Sequence, residues 1–170
     1  MDRKFYLNLA ATCLRMPIGT DLILHEYPNP EEIKCDGRAL GRVVETAAHR
    51  YRTPLAFPLM DLRLEKADLL RLLGVPVAIC DKFHFAEAPS EDDLANIAAS
   101  LEAPFDHRHQ AHIGSVGYIR EHTDLLAVGI SIGPFSLMTK LLSDPITLVA
   151  MAGMGLTAAE DPGILMAERS

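Results

Sequence analysis

The chain has 170 residues, of which 49% are hydrophobic and 23% charged, and its formal net charge is −7. Those figures describe a globular domain with enough chain for a core, and they exclude a disordered tail, a collagen-like rod and a coiled coil. The acidic balance and scattered Lys and Arg argue against a nucleic-acid surface or an anionic membrane surface, and no apolar run reaches the about 18 residues of a membrane span.

Met1-Asp2-Arg3-Lys4-Phe5 lacks a continuous apolar stretch and a small-residue cleavage site, so no signal peptide is expected. From Lys4 to Arg15 the apolar residues Phe5, Leu7, Leu9, Ala10 and Leu14 predict a short helix. Pro17 ends it, because proline disfavours helix in the residue before it. Leu22, Ile23 and Leu24 read as a short extended stretch, and Tyr27-Pro28-Asn29-Pro30 as a turn. Val43, Val44, Ala47, Ala48 and Tyr51 recur at helical spacing and predict a helix from Gly41 to Tyr51, closed by Thr53-Pro54.

Leu55 to Met60 is a short apolar strand candidate with Asp61 at its end. A helix is predicted over Glu65 to Leu73 and stopped by Gly74, followed by a second strand candidate, Val75 to Cys80. Ser90-Glu91-Asp92-Asp93 has the form of a helix N-cap with an acidic first turn. A further helix runs from about His107 to Glu121. Leu125 to Ile132 then reads as a fully apolar strand of the kind buried on both faces. Gly133-Pro134 breaks it, and Phe135 to Leu142 returns as a helix. Thr147 to Ala152 is apolar again, and a polar segment with helical potential closes the chain. Strands alternating with helices predict an α/β fold with a parallel sheet in a single domain.

Cys13, Cys35 and Cys80 are odd in number and widely spaced, which fits neither a disulfide framework nor a CxxC metal knuckle. A reducing, cytoplasmic setting with buried or neutral thiols follows. Val128 to Met138 forms a strand-turn-helix around Gly133, Pro134, Phe135 and Ser136. In α/β folds the carboxyl ends of strands bind ligands, and a glycine there lets backbone approach them. The alternative is a tight turn. Asp61 has the same placement: a carboxylate for N–H donors or a developing cation, or else a helix N-cap ahead of Leu62 to Leu73. His84, in Phe83-His84-Phe85, stands at the end of an extended stretch where it can line a mouth; the alternative is a partly buried, hydrogen-bonded histidine. His107, His109 and His112 have a spacing that metal ligands use, yet no Cys or carboxylate partner is evident. With Asp106 and Arg108 they read more economically as a solvated helix start, and no metal site is assigned. Ser136 lacks a Gly-x-Ser-x-Gly elbow, so a serine hydrolase is disfavoured. Met138, Met151 and Met154 belong with core packing.

Two segments resemble the N-terminal half of the uroporphyrinogen decarboxylase superfamily, which includes the corrinoid (cobalamin-dependent) methyltransferases. Phe57-Pro58-Leu59-Met60-Asp61-Leu62, with Glu65-Lys66 and Leu73-Gly74-Val75, is similar to the first barrel strand with its Asp and the next helix. Ile119-Arg120-Glu121-His122 through Ile132-Gly133-Pro134-Phe135-Ser136-Leu137-Met138 is similar to the later helix, strand and Gly-Pro-Phe-Thr-Leu-type turn. The resemblance implies a partial (α/β)8 TIM-type barrel, residues 1–170 forming its N-terminal half, since a complete barrel takes about 250 residues. It implies that Asp61 faces the cleft, where the decarboxylases bind pyrrole N–H groups. Gly133, Pro134, Phe135, Ser136 and His84 are the implied substrate- or cofactor-binding residues.

The decarboxylases' Arg-Gln-Ala-Gly-Arg loop is replaced here by Leu14-Arg15-Met16-Pro17-Ile18-Gly19-Thr20, and the position of a functional Tyr falls at Lys140. Pro17-Ile18-Gly19-Thr20-Asp21 and the shape of the Gly133-Pro134-Phe135-Ser136-Leu137 turn resemble more closely the methyltransferase branch, whose intact members use zinc to activate a thiol in methyl exchange with a corrinoid protein. The family's His and Cys zinc ligands lie in its C-terminal half. Tetrapyrrole decarboxylation and a non-catalytic corrinoid- or tetrapyrrole-binding fragment are the alternatives. A partial parallel sheet leaves open edges, which predicts self-association.

Overall fold

The computed structural model describes residues 2–12, 19–100 and 102–169. In chain order the elements are α1 (Arg3–Ala11), α2 (Thr20–Leu24), α3 (Pro30–Ile33), α4 (Gly37–Arg50), β1 (Leu55–Ala56), α5 (Leu64–Leu72), a 3-10 turn at Val77–Ile79, α6 (Glu91–Ala99), α7 (His107–His122), β2 (Leu126–Ala127), α8 (Pro134–Leu141), α9 (Pro145–Gly153) and α10 (Pro162–Arg169). The architecture is mostly helical, with one two-stranded parallel sheet among the described residues, compatible with α/β; two strands do not make a barrel. Cys13, the far end of the first predicted helix and Pro17 lie outside the described residues. No helix among the described residues is long and apolar enough to cross a membrane.

The chain divides into two compact units, Met1–Asp61 with Asp106–Ile130 and Leu62–Phe105 with Ser131–Ser170. The first is built on α4 packed against α7, its most extensive helix contact. Helix α4 begins at Gly37, one turn earlier than its apolar spacing predicts, because Asp36 caps it: Oδ1 accepts from Arg38 N–H at 2.8 Å and Ala39 N–H at 2.9 Å. Its Leu40, Val43, Val44, Ala47 and Ala48 are all buried. Gly41 lies under the Tyr118 ring, where a Cβ would come within 2.5 Å of Cδ1, so glycine is what lets α7 approach here. Tyr118 Oη then donates to Glu45 Oε2 at 3.0 Å. One core cluster joins Ile23, Leu24, Ile33, Leu40, Val43, Ala47 and Leu59; another joins Val44, Ala56 and Ile119.

Leu22 to Leu24 is helical, not extended. Ile23 and Leu24 are buried side by side while Leu22 is exposed, a pattern that strand alternation does not produce. Thr20 Oγ1 donates to the Phe57 carbonyl at 2.7 Å and holds this turn of helix against the chain leaving β1.

The parallel sheet pairs Leu55 with Leu126 and Ala56 with Ala127. Leu126 N–H donates to Pro54 O at 2.7 Å and Val128 N–H to Ala56 O at 3.2 Å. The predicted strand Leu125 to Ile132 shrinks to two residues, and it is not buried on both faces, since Ala127 and Gly129 are exposed. A physical reason is at hand in the partner strand: Pro58 has no N–H to offer as the pairing runs on past Ala56.

In the second unit, α5 ends in a Schellman turn. Gly74 adopts φ +73°, its N–H reaching Arg71 O at 3.0 Å and Val75 N–H reaching Leu70 O at 2.9 Å. Val75 to Cys80 is a 3-10 turn, not a strand. Pro76 precedes it, Val77 and Ile79 are exposed, and Ile79 N–H closes on Pro76 O at 3.0 Å. The core here is smaller: Leu70, Cys80 and Leu141, flanked by Leu73, Phe83, Phe85 and Leu137. Thr147 to Ala152 lies within α9, and the closing segment forms α10.

Candidate functional site

In the first unit, the chain leaving β1 turns sharply. Pro58 and Leu59 are buried, Met60 is exposed, and Asp61 N–H folds back onto Leu59 O at 3.1 Å. Burying Leu59 in the main cluster fixes where Asp61 stands. The Asp61 side chain is 7% exposed, and its Oδ2 accepts from Arg108 Nη2 at 2.6 Å. A charge-assisted bond of this length between partly buried groups is strong and orients both partners. Arg108 is placed by Asp106, which caps α7 by accepting from the Arg108 N–H at 3.1 Å.

The helix-cap alternative for Asp61 is thereby corrected. Helix α5 starts at Leu64 with Arg63 as its N-cap residue, and no side chain caps it. Asp106, by contrast, is a helix start as its position suggests. Sequence reasoning missed Arg108 as the partner of Asp61. The two lie 47 residues apart, and no local spacing connects them.

Beside this turn is an open depression of about 370 Å³ lined by Thr20, Asp21, Leu22, Phe57, Pro58 and Met60. Its walls are chiefly apolar, with hydroxyl and carboxylate groups at one side. A site of this volume is at the small end of ligand pockets. Of the three clustered histidines on α7, His112 is buried, His107 is exposed and His109 is between. Among the described residues, no group of three His, Cys, Asp or Glu side chains is arranged to hold a metal ion. Cys35 is exposed and Cys80 buried, both as free thiols.

The second unit holds the remaining sequence-predicted residues. Gly133, extended at φ −76° and ψ 163°, leads into α8 with Pro134 in its first turn, and no side chain caps this helix. Gly133, Pro134, Phe135 and Ser136 are all exposed. The turn is tied down from α5: Glu65 Oε1 accepts from Ile132 N–H at 2.9 Å. Glu65 Oε2 is buried and takes no hydrogen bond among the described residues. Glu65 was legible as part of a helix but not as the clamp on this turn.

His84 does not join the Gly133–Ser136 turn. It lines a separate depression of about 220 Å³ with Leu62, Arg63, Lys66, Asp81 and Lys140. Lys66 is buried on α5, and its ammonium donates to Phe83 O at 2.7 Å. Burial above all holds the Lys66 pKa below the usual lysine range; Asp81 opposes the shift and the nearby Lys140 adds to it. Arg63 Nη1 and Asp81 Oδ2 pair at 3.3 Å.

Compared with known proteins, the chain matches no family model, no curated protein and no solved structure.

Proposed function

We propose that the chain is the amino-terminal part of a uroporphyrinogen decarboxylase-like, corrinoid-dependent methyltransferase, a partial (α/β)8 barrel whose polar centre is Asp61. The observation that carries this reading is the placement of Asp61. It follows the carboxyl end of β1, a strand with a parallel partner, and its carboxylate is nearly buried and oriented by Arg108. That is the position at which the resemblance expects a ligand-facing acid.

The apolar depression formed by Leu22, Phe57, Pro58 and Met60 fits one edge of a corrinoid or tetrapyrrole. When bound, a corrinoid supplies or receives the methyl group. The work of this chain is binding and orientation: the apolar wall excludes water from the ring edge, and Asp61 accepts hydrogen bonds from ring or side-chain N–H donors. Zinc has no ligand set among the described residues, so no step of thiol activation is assigned to them. The second reading is a corrinoid- or tetrapyrrole-binding module that completes no reaction. The Gly133–Ser136 turn and His84 remain proposed ligand contacts of the second unit. The open edges of a two-stranded sheet support self-association.

The test titrates the full chain with hydroxocobalamin and, separately, with a porphyrin, following their visible absorption. A saturable shift is expected with one of them, weakened about tenfold or more in Asp61→Ala, equivalent to about 1.4 kcal/mol. No shift with either ligand, from a chain whose circular dichroism shows it folded, ends the proposal. Methyl transfer to a thiol from a methylated corrinoid protein in the presence of zinc selects the enzyme over the binding module. Loss of acetate carboxyl groups from a porphyrinogen selects the decarboxylase.

A further inference from the structure

Lysine is rarely buried without a carboxylate to pair with, because taking an ammonium out of water is costly. Lys66 is such a case: it is 5% exposed, and its one hydrogen bond among the described residues goes to the Phe83 carbonyl. An ammonium has three donors, so a single carbonyl leaves two of them to be satisfied. The depression that Lys66 lines also contains Lys140 and His84, and neither takes an ion-pair partner among the described residues. Arg63 and Asp81, on the same rim, pair at 3.3 Å. The depression of about 220 Å³ thus sets three cations, Lys66, Lys140 and Arg63, against the single carboxylate of Asp81, with His84 beside them.

From this geometry we infer that Lys66, Lys140 and His84 form a binding site for a phosphate group, free or as a monoester. A phosphate carries a charge near −2 at neutral pH and three or more acceptor oxygens, matching two ammonium groups and an imidazole N–H. A carboxylate brings one charge and leaves one lysine unmatched. Lysine ammonium groups serve as point-charge phosphate ligands without needing the forked geometry of arginine. The frame is rigid where it matters. Lys66 is on α5 and Lys140 on α8, the two helices joined through Leu70 and Leu141, and Phe85 N–H is bonded to Leu141 O at 2.9 Å. Phe83 and Phe85, in edge-to-face contact at 5.2 Å, bracket His84 in the chain. Burial disfavours the Lys66 ammonium, and an incoming dianion favours it. The site belongs to the second unit alone and does not rest on the corrinoid reading.

The experiment is a titration of the full chain with inorganic phosphate at constant ionic strength, followed by NMR of the His84 ring and the lysine side chains. Acetate and sulfate are titrated in parallel. Saturable shifts at His84, Lys66 and Lys140 are expected with phosphate, and a weakening of about tenfold is expected in Lys140→Gln. Lys140 is half-exposed on α8, so this variant keeps the fold; circular dichroism checks it. Lys66→Met, if it folds, is expected to abolish the shifts. Sulfate, a dianion of similar shape, is expected to compete. Three results overturn the assignment: no saturable shift with phosphate, unchanged phosphate binding in Lys140→Gln, or acetate binding as tightly as phosphate at the same residues.

Discussion

Helices α4 and α9 are both rich in apolar side chains, and they end up in opposite situations. On α4 the residues Leu40, Val43, Val44, Ala47 and Ala48 are buried, while Arg38, Arg42, His49 and Arg50 are exposed. Helix α9, Pro-Ile-Thr-Leu-Val-Ala-Met-Ala-Gly, has no charged residue and no buried one; Ile146 is 80% exposed. Segregation of polar from apolar residues, not apolar content, decides which helix has a partner waiting for it. An amphipathic helix needs one neighbouring face, and α7 supplies it for α4. A helix that is apolar all round needs neighbours on every side to bury it. The first unit gathers two core clusters around α4, whereas the second unit's cluster of Leu70, Cys80 and Leu141 takes no residue from α9.

Two equivalent truncations set this contrast at its largest. Leu40→Ala removes a side chain that is 1% exposed and is expected to cost about 2–5 kcal/mol. Ile146→Ala, on α9, is expected to change stability by no more than about 0.5 kcal/mol. Urea denaturation of the full chain measures both. If Ile146→Ala proves as costly as Leu40→Ala, α9 is covered in solution and the comparison breaks. Repeating the measurement across protein concentration tells whether a second copy is what covers it.

Helices α4, α5, α6, α7 and α8 were legible in the sequence because each rule that marks them acts within a few residues, whereas Leu22 to Leu24 of α2 reads as extended and the start of α3 as a turn. Val43, Val44, Ala47 and Ala48 predicted α4, Gly74 predicted the end of α5, and Ser90 with the acids after it predicted the start of α6. The extended segments were much less legible. An apolar run such as Val75 to Cys80 has the composition of a buried strand, yet a strand exists only where another backbone pairs with it, and no such pairing occurs there. The site residues divide in the same way. Asp61 and the Gly133 turn stood out by their local setting, whereas Arg108, the Glu65 clamp and the Lys66–Lys140 neighbourhood depend on chain segments brought together from far apart. Composition around each residue carries no record of those meetings.

The helix ends give a finer contrast. Three of them close with a Schellman turn, which places one residue in the left-handed region. In the second unit that residue is Gly74 after α5, at φ +73°, and Gly155 after α9, at φ +88°. In the first it is Arg52 after α4, at φ +52°, with Thr53 N–H closing on Ala48 O at 3.0 Å. Gly74→Ala is therefore expected to cost about 1–2 kcal/mol, since nothing crowds the added Cβ and only the backbone conformation resists it. Arg52→Gly is expected to gain about 0.5 kcal/mol, because the left-handed cost removed exceeds the extra entropy glycine loses on folding. Thermal unfolding of the two variants checks the signs. A loss on Arg52→Gly shows that the Arg52 side chain contributes more than its backbone costs.

Helix α6 carries the contrast to its smallest scale, since it buries no residue at all and is held at its start by local chemistry. Ser90 Oγ accepts from Asp93 N–H at 3.1 Å, while Asp93 Oδ2 accepts from Ser90 N–H at 2.9 Å and from Ser90 Oγ at 2.7 Å. The hydroxyl donor first, and then the backbone N–H, hold the Asp93 carboxyl below the usual range. A carboxyl lowered in the folded state binds its proton less readily there than in the unfolded chain, so the box stabilises α6 above the ordinary aspartate range. That stabilisation fades as pH falls through the folded-state value. The group is open to solvent, which keeps the effect below that of the glycine substitutions. Hydrogen exchange of the α6 amides and NMR titration of the Asp93 carboxyl are expected to show protection falling as Asp93 takes up its proton. In Ser90→Ala the carboxyl is expected to return toward the ordinary range, and the pH dependence of protection to flatten. An unchanged Asp93 titration in that variant means that the start of α6 is held by something other than the box, and the distinction between a helix held by burial and one held by its cap loses its plainest example.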